Sequence, residues 1–286
     1  MKIAIISGKG GSGKSSITAS FIALSPRVIA IDCDVDASNL PLLFAHTAEK
    51  EERFISGHQV VIDSDRCIGC GTCEESCAFH AIQIKEGKAV CNPFFCEDCR
   101  LCERLCPTHA ITLEAEALSS IYTSQFSHGK LIHGHLHPGD DNSGKMIARL
   151  REIADATMQD TNIELQILDG PPGIGCPVLS TVTGMDRIVI VTEPTRSGLS
   201  DLKRACQVSR SFCNDIYVVI NKCDINLACE KEILQVCQAQ DIPIIAHLPF
   251  DRQIVEAQVQ GMSIIDYAPN SIVSKKLTEA YQMIIH

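Results

Sequence analysis

Short apolar runs separated by longer stretches form the main hydrophobic pattern of this chain. The apolar runs lie at 2–7, 27–32, 164–169, 187–192, 216–221 and 242–248. Each run has the length of a buried strand, and the stretches between them are typical of helices. Strands that alternate with helices form a parallel sheet covered on both faces. The pattern therefore predicts a doubly wound, mainly parallel α/β sheet, with a ligand site at the carboxyl edge of the strands.

This alternation is interrupted over residues 58–115, where cysteines become frequent. Because the strand pattern resumes afterwards, we expect a separate domain inserted into the α/β fold. The predicted α/β domain thus has two parts, 1–57 and 116–286, on either side of the insert at 58–115.

The insert contains an internal duplication with an offset of 29 residues. One copy begins at Cys67 and the other at Cys96, and both have the spacing C-x2-C-x2-C-x3-C. This spacing resembles that of bacterial two-cluster ferredoxins, in which the fourth cysteine of each copy ligates the other cluster. The resemblance implies an α+β ferredoxin fold with two [4Fe–4S] clusters. By the same resemblance, the ligands would be Cys67, Cys70, Cys73 and Cys106 for cluster 1, and Cys96, Cys99, Cys102 and Cys77 for cluster 2.

A pair of zinc sites is the alternative interpretation of these cysteines, because CxxC pairs also bind zinc. The equal spacing of the two copies favours iron–sulfur clusters. The copies differ after the fourth cysteine, where Ala78 takes the place of Pro107. Neither residue is a ligand, so the difference leaves the assignment unchanged.

Residues 8–15, GKGGSGKS, match the phosphate-loop pattern G-x-x-x-x-G-K-[ST] between a predicted strand and a predicted helix. Such a loop presents backbone N–H groups to phosphate. Lys14 would reach the β- and γ-phosphates, and the Ser15 hydroxyl would bind Mg²⁺. The residues predicted to contact nucleotide here are Gly8, Lys9, Gly10, Gly11, Ser12, Gly13, Lys14, Ser15 and Ser16.

Lys9, one residue after the first glycine, makes this loop similar to the deviant Walker A loop of the MinD/ParA/Mrp superfamily, to which the nitrogenase iron protein is related. The resemblance implies that Lys9 crosses a homodimer interface to the partner's nucleotide. ATP binding and dimer closure would then be one event, and hydrolysis to ADP and phosphate would reopen the dimer.

Two further segments resemble the switch regions of that superfamily. In RVIAIDCDVDASNL, the resemblance makes Asp34 the residue that orients the attacking water, with Asp32 and Asn39 in support. In ELQILDGPPG, it assigns Asp169 to the hydration shell of Mg²⁺. The implied catalytic residues are Lys9, Lys14 and Asp34.

The strand IYVVI leads into Asn221, Lys222, Cys223 and Asp224, which are candidates for contact with the base. In the MinD-like class an asparagine at this strand end contacts adenine. The same residues also fit the N-K-x-D motif of GTPases, whose aspartate accepts from guanine. We favour ATP, because the Walker A match is longer.

Charge limits the partners of the protein. The 286 residues include 35 acidic and 25 basic side chains, for a formal charge of -10. This balance repels nucleic acid and disfavours an anionic membrane surface. The N-terminal apolar run is too short for a signal peptide, so we expect a cytoplasmic protein. In a reducing compartment the sixteen cysteines would be metal ligands or buried thiols.

Cys176 and a run of alternating histidines are two further candidate metal-binding features. Cys176 lies seven residues after Asp169, the spacing of the bridging cysteine in the nitrogenase iron protein. Residues 107–168 supply no second cysteine, so we favour a buried thiol. His133, His135 and His137 alternate and could line one strand face as zinc ligands, but a pocket-lining or solvated strand is favoured.

The combination predicts a dimeric ATPase switch with two [4Fe–4S] clusters, which couples nucleotide state to electron transfer. Its partner would be a redox or metallocofactor-maturation protein. The alternative is a carrier or scaffold for iron–sulfur or metal clusters, as in Mrp-like ATPases, although the later cysteines include no CxxC pair. A third is a synthetase similar to cobyrinic acid diamide synthase, for which no glutaminase domain is obvious.

Overall fold

The computed structural model describes residues 1–55, 57–116, 119–137 and 142–286. The chain divides into two compact units. Unit 1 comprises Met1–Glu52, Ile121–His135 and Ser143–His286, and unit 2 comprises Arg53–Ser120 and Leu136–Asn142. Unit 2 therefore extends beyond the predicted insert at both ends.

The strands, in chain order, are β1 (Lys2–Ser7), β2 (Val28–Asp32), β3 (His46–Phe54), β4 (Gly57–Ile62), β5 (Ile82–Lys85), β6 (Lys88–Cys91), β7 (Ile111–Glu116), β8 (Ser119–Phe126), β9 (Gly129–His135), β10 (Gln166–Pro172), β11 (Arg187–Thr192), β12 (Ile216–Ile220) and β13 (Ile244–His247). The α-helices are α1 (Lys14–Leu24), α2 (Thr72–Glu75), α3 (Leu101–Leu105), α4 (Ser143–Asp160), α5 (Cys176–Val182), α6 (Arg196–Arg210), α7 (Leu227–Ala239), α8 (Arg252–Val259), α9 (Ile264–Tyr267) and α10 (Ile272–Ile285). Short 3₁₀ turns lie at Leu40–Leu43, Pro93–Phe95 and Cys223–Ile225.

A central sheet of nine strands organises unit 1, in the order β13-β12-β11-β1-β10-β2-β9-β8-β3. From β13 to β9 every neighbouring pair is parallel. The predicted α/β fold with a mainly parallel sheet is confirmed. Since parallel strands end at one edge, the turns after β1, β2, β10 and β12 lie side by side there.

Helix α1 follows the phosphate loop and packs against β1, β10, α9 and α10. Its Phe21 side chain is fully buried, and the ring lies 5.9 Å from that of Tyr281 on α10. The Tyr281 hydroxyl is 2.8 Å from the Ser25 hydroxyl at the end of α1. Helix α10 buries its apolar face in the core of unit 1. Among the described residues no helix is both long and apolar enough to span a bilayer.

Unit 2 has two antiparallel strand pairs, β4 with β7 and β5 with β6. The two copies of the repeat have matching backbones at equivalent positions. His80 and His109 both adopt positive φ, 53° and 49°, each one turn after the fourth cysteine of its copy. Their backbone N–H groups donate to the carbonyls of Cys77 and Cys106.

Candidate nucleotide site and cysteine-lined cavities

The phosphate loop joins β1 to α1, and neighbouring side chains approach its backbone closely. A Cβ at Gly13 would lie 2.2 Å from Nδ2 of Asn221, and Gly13 has a φ of 89°. A Cβ at Gly8 would lie 2.2 Å from Cβ of Asp201. The Asn221 amide donates to the carbonyl of Ser12 at 2.8 Å. The loop is therefore held against the ends of β12 and α6, and only glycine fits at these two positions.

A buried ion pair lies beneath the loop. Lys14 Nζ is 2.8 Å from Oδ1 of Asp169, and both side chains are buried, with 7% and 1% exposure. The Thr18 hydroxyl donates to the same oxygen at 2.7 Å. The pair places an ammonium at the N-terminus of α1 and a carboxylate at the end of β10. This is the pairing expected of a phosphate-binding lysine and an acidic residue that serves Mg²⁺.

Asp32 anchors the segment that follows β2. Its carboxylate accepts the N–H groups of Asp34 and Leu40, both at 3.0 Å, and the hydroxyl of Ser38 at 2.8 Å. Complete burial, and then the charge of Asp169, raise the pKa of Asp32 to about 7. Burial also raises the pKa of Asp34, while the Lys14 charge opposes this.

An open cavity of about 1930 Å³, partly continuous with solvent, lies over the loop. It brings together the predicted residues Lys9, Gly10, Gly11, Ser12, Gly13, Lys14, Ser15, Ser16, Asp34 and Asn221. Within the described part of the chain the buried Ser12 hydroxyl has no hydrogen-bond partner. A buried hydroxyl without a partner is costly, so this group fits a phosphate that accepts from it.

Other predicted residues lie outside the lining of this cavity. Gly8 lies at the start of the loop, and Asp169 lies beneath it. The Asp224 carboxylate accepts the backbone N–H of Phe250 at 2.8 Å, so it holds the turn after β13.

The turn after β13 and helix α8 supply lining residues that the sequence patterns did not indicate. Phe250, Asp251, Ile254, Val255 and Gln258 border the cavity, and the Gln258 amide donates to the Ser16 hydroxyl at 2.7 Å. They belong to no phosphate-binding motif. Only the apolar run at 242–248, which places a strand end at this edge, signalled that the segment could reach the site.

Lys9 is held within its own chain by Glu193, which follows β11. Lys9 Nζ lies 2.5 Å from Oε1 of Glu193 and donates to the Thr195 and Ser197 hydroxyls at 3.3 and 3.2 Å. Lys222 Nζ lies 3.1 Å from the other Glu193 oxygen and donates to the Gly11 carbonyl. Burial alone would raise the pKa of Glu193, but the two lysines lower it overall.

The eight repeat cysteines of unit 2 line two cavities. One cavity, of about 320 Å³, is bordered by Cys67, Cys70, Cys73 and Cys106. The other, of about 400 Å³, is bordered by Cys77, Cys96, Cys99 and Cys102, and Cys73 borders this cavity as well. We call them cavity A and cavity B, respectively. Both volumes include space open to solvent.

Backbone N–H groups point at the cysteine sulfurs. The N–H groups of Ala81 and Ala110 donate to Sγ of Cys77 and Cys106 at 3.3 and 3.2 Å. N–H···S bonds of this kind stabilise thiolate ligands of iron–sulfur clusters. The donor set, four cysteines around an open volume in each case, therefore fits a cluster in each cavity.

The described residues contain no three His, Cys, Asp or Glu side chains that converge on a single metal ion. His133 and His135, the histidines of β9, belong to no such group. His133 stacks on Tyr122 with centroids 5.1 Å apart and lies 5.9 Å from His46. Burial, then the neighbouring His46, lower the pKa of His133 to about 4, so the imidazole is neutral at pH 7.

The prediction that Cys176 is a buried thiol is wrong for the single chain. Cys176 is exposed at the first residue of α5. The helix buries Val178, Thr181 and Val182 instead.

The comparisons with known proteins agree with the nucleotide site. Residues 3–264 match the family model described as CobQ/CobB/MinD/ParA nucleotide binding domain. The chain belongs to this family. It is 38% identical over 285 residues to the uncharacterized protein MJ0578 of Methanocaldococcus jannaschii, which covers 99% of this chain and 95% of the relative.

Two further similarities are to a solved structure and to a ferredoxin. The septum site-determining protein MinD of Pyrococcus horikoshii, solved with Mg-ADP, has a TM-score of 0.60 at 17% identity, covering 99% of this chain and 95% of that one. This likeness shows the fold. Ferredoxin-2 of Desulfomicrobium norvegicum is 47% identical over 34 residues, or 12% of this chain and 58% of the ferredoxin.

The raised pKa of Asp32 predicts a pH dependence for nucleotide binding. Below pH 7 Asp32 holds a proton that the positive charge of Mg²⁺ must displace, so affinity for Mg·ADP should fall as the pH falls. We expect a loss of about fivefold between pH 7 and pH 6, measured by calorimetry. Asp32→Asn should flatten this profile, and Asp160→Asn, at an exposed position at the end of α4, should leave it intact. Equal wild-type affinity at pH 6 and pH 8 would contradict the prediction.

Proposed function

We propose that this protein is a dimeric ATP-dependent switch with two [4Fe–4S] clusters, which couples its nucleotide state to electron transfer to a redox or metallocofactor-maturation partner. The observation that carries the proposal is the crossed arrangement of eight cysteines around cavities A and B. A duplicated four-cysteine pattern with a shared fourth ligand is the arrangement of two-cluster ferredoxins. The short similarity to Ferredoxin-2 supports it. When bound, such clusters supply one-electron transfer at low potential.

The nucleotide half of the proposal rests on one cavity. Lys14 would bind the β- and γ-phosphates, and Ser15 with Asp169 would serve Mg²⁺. Asp34 borders the same cavity and would orient the attacking water. Asn221 also borders it and would contact the base, whereas the Asp224 carboxylate is engaged with Phe250. This arrangement supports ATP over GTP and ATP hydrolysis over simple binding.

The dimer half of the proposal assigns Lys9 to the partner's nucleotide. In the single chain Lys9 is paired with Glu193, so it must leave that carboxylate before it can reach a partner. The pair thus opposes dimer closure until the phosphates of ATP offer a stronger negative charge. Lys9 would then help Lys14 to stabilise charge that develops during hydrolysis.

The chain path supports coupling between the two halves. The segment anchored by Asp32 continues through Leu40–Leu43 into β3, and the last two residues of β3 already belong to unit 2. The chain returns to unit 1 in β8. A nucleotide-dependent change in the residues after Asp32 would therefore be transmitted along the chain toward unit 2.

A cluster carrier is the second candidate function. It is favoured by the exposure of Cys70 and Cys99, one ligand from each cysteine set. Exposed thiolate ligands are accessible to an acceptor protein. In this alternative, MgATP would promote release of iron, not transfer of electrons.

One anaerobic experiment tests the proposal against this alternative. Reconstituted protein should contain about eight iron atoms per chain, and Cys70→Ser and Cys99→Ser should each lower that number. Cys213→Ser is the control, since Cys213 belongs to unit 1 and borders neither cavity. After reduction, MgATP and an oxidised acceptor should oxidise the protein with its iron retained, as followed by EPR and iron analysis. Transfer of iron to the acceptor would establish the carrier instead.

Substitution of Glu193 tests the dimer mechanism. Glu193→Gln removes the charge that holds Lys9, so half-maximal dimerisation in sedimentation should require less ATP, by up to about tenfold. Glu232→Gln is the control, because its partner Arg196 is 82% exposed and the pair should contribute little. Nucleotide affinity of the monomer is measured separately, since Glu193 also pairs with Lys222. An unchanged or higher ATP requirement for Glu193→Gln would contradict the mechanism.

A further inference from the structure

Cavities A and B are built from equivalent positions of the repeat, yet their hydroxyl groups differ. Near cavity A, the Thr72 hydroxyl lies 3.5 Å from Sγ of Cys70. The position 29 residues later is Leu101, two residues after Cys99, and it has no hydroxyl. Thr72 borders cavity A and Leu101 borders cavity B.

The fourth cysteines show the same difference. The Thr108 hydroxyl lies 3.7 Å from Sγ of Cys106, and the equivalent residue after Cys77 is Phe79. Because the fourth cysteine of each copy serves the other cavity, Thr108 also borders cavity A, and Phe79 borders cavity B. Both hydroxyls therefore meet at one cavity, although they come from different copies.

The backbone donors do not cancel this asymmetry. Ala110 donates to Cys106 and Ala81 donates to Cys77 at nearly equal distances, 3.2 and 3.3 Å. Ala89 donates to Cys67 at 3.4 Å, and its equivalent, residue 118, lies outside the described residues.

Charges around the two cavities differ in the same direction. Lys88 Nζ donates to the carbonyls of Ser64 and Cys67, both at 2.6 Å, which brings a positive charge to the loop of cavity A. The loop of cavity B has Glu97 and Asp98 where the first copy has Ile68 and Gly69.

Several groups at cavity B act in the opposite direction. The Ser76 side chain borders this cavity. Asp98 is paired with His58 at 2.8 Å, which offsets part of its charge. Arg100 adds a positive charge, but its guanidinium lies 4.0 Å from Glu103.

The Cys91 thiol lies beside Cys96, but a thiol is a weak donor. The two threonine hydroxyls lie within hydrogen-bond distance of cysteine sulfurs, so the balance of donors still favours cavity A.

A cysteine thiolate can only accept hydrogen bonds, so in the loaded protein both threonines donate to sulfur. Donors and positive charge stabilise the more negative, reduced state of an iron–sulfur site and raise its potential. Resting on the proposed function, we infer that the cysteines of cavity A define the site of higher reduction potential, where the first electron resides. The cysteines of cavity B define the stronger reductant. The two sites of the duplicated unit thus differ in reduction potential: cavity A holds the first electron, and cavity B is the stronger electron donor.

The test is a redox titration of the full-length reconstituted protein followed by EPR, after iron analysis. Wild-type protein should show two midpoints. Thr72→Val with Thr108→Val removes both hydroxyls at nearly constant volume and should move the higher midpoint to more negative potential. A tenfold change in the ratio of oxidised to reduced protein corresponds to about 59 mV for one electron. The lower midpoint should stay unchanged.

Position-matched variants separate this effect from a general disturbance. Leu101→Thr should raise the lower midpoint, and the exposed Thr112→Val should move neither. Coincident midpoints in the wild type, or a threonine variant that moves the lower midpoint, would overturn the inference. Failure of the proposed function is distinct, because the wild-type protein would then lack about eight iron atoms per chain.

Discussion

The buried pairing of Lys14 with Asp169 is the interaction on which the nucleotide half of the molecule depends. It joins the first turn of α1 to the end of β10, and the fully buried Asp32 lies within the same electrostatic group. Burial of Lys14, Asp169 and Asp32 costs free energy unless their charges offset one another or a bound ligand supplies the missing charge. A nucleotide phosphate and Mg²⁺ would add one negative and one positive partner. The charge balance of the site therefore depends on the bound ligand. Asp32 links that balance to the segment after β2, because its carboxylate accepts the backbone N–H of Leu40.

The cysteine unit follows a different constraint, which is its internal duplication. In the proposed assignment each four-cysteine set takes three members from one copy and one from the other. Neither copy would complete a site alone, so the two clusters would form together. The same exchange concentrates Thr72 and Thr108 at one cavity and makes two similar sites chemically unequal.

The phosphate loop and the parallel strands could be predicted because each is encoded by local spacing. Strand β3 could not, since it is a polar, exposed strand at the edge of the sheet and lacks an apolar period. The pairing of Lys9 with Glu193 joins residues far apart in sequence that no motif relates. The exposure of Cys176 depends on which face α5 buries, and a seven-residue helix gives too little periodicity to decide that.

In the proposed function, nucleotide state and cluster potential are coupled. Thermodynamic linkage requires that, if MgATP shifts a midpoint, reduction shifts MgATP affinity by the same factor. The most direct measurement is the pair of midpoint potentials with and without saturating MgATP, with Lys14→Ala as the variant that cannot bind nucleotide. The account predicts that MgATP shifts at least one midpoint in the wild type and neither in Lys14→Ala. Identical midpoints in nucleotide-saturated and nucleotide-free wild-type protein would contradict it.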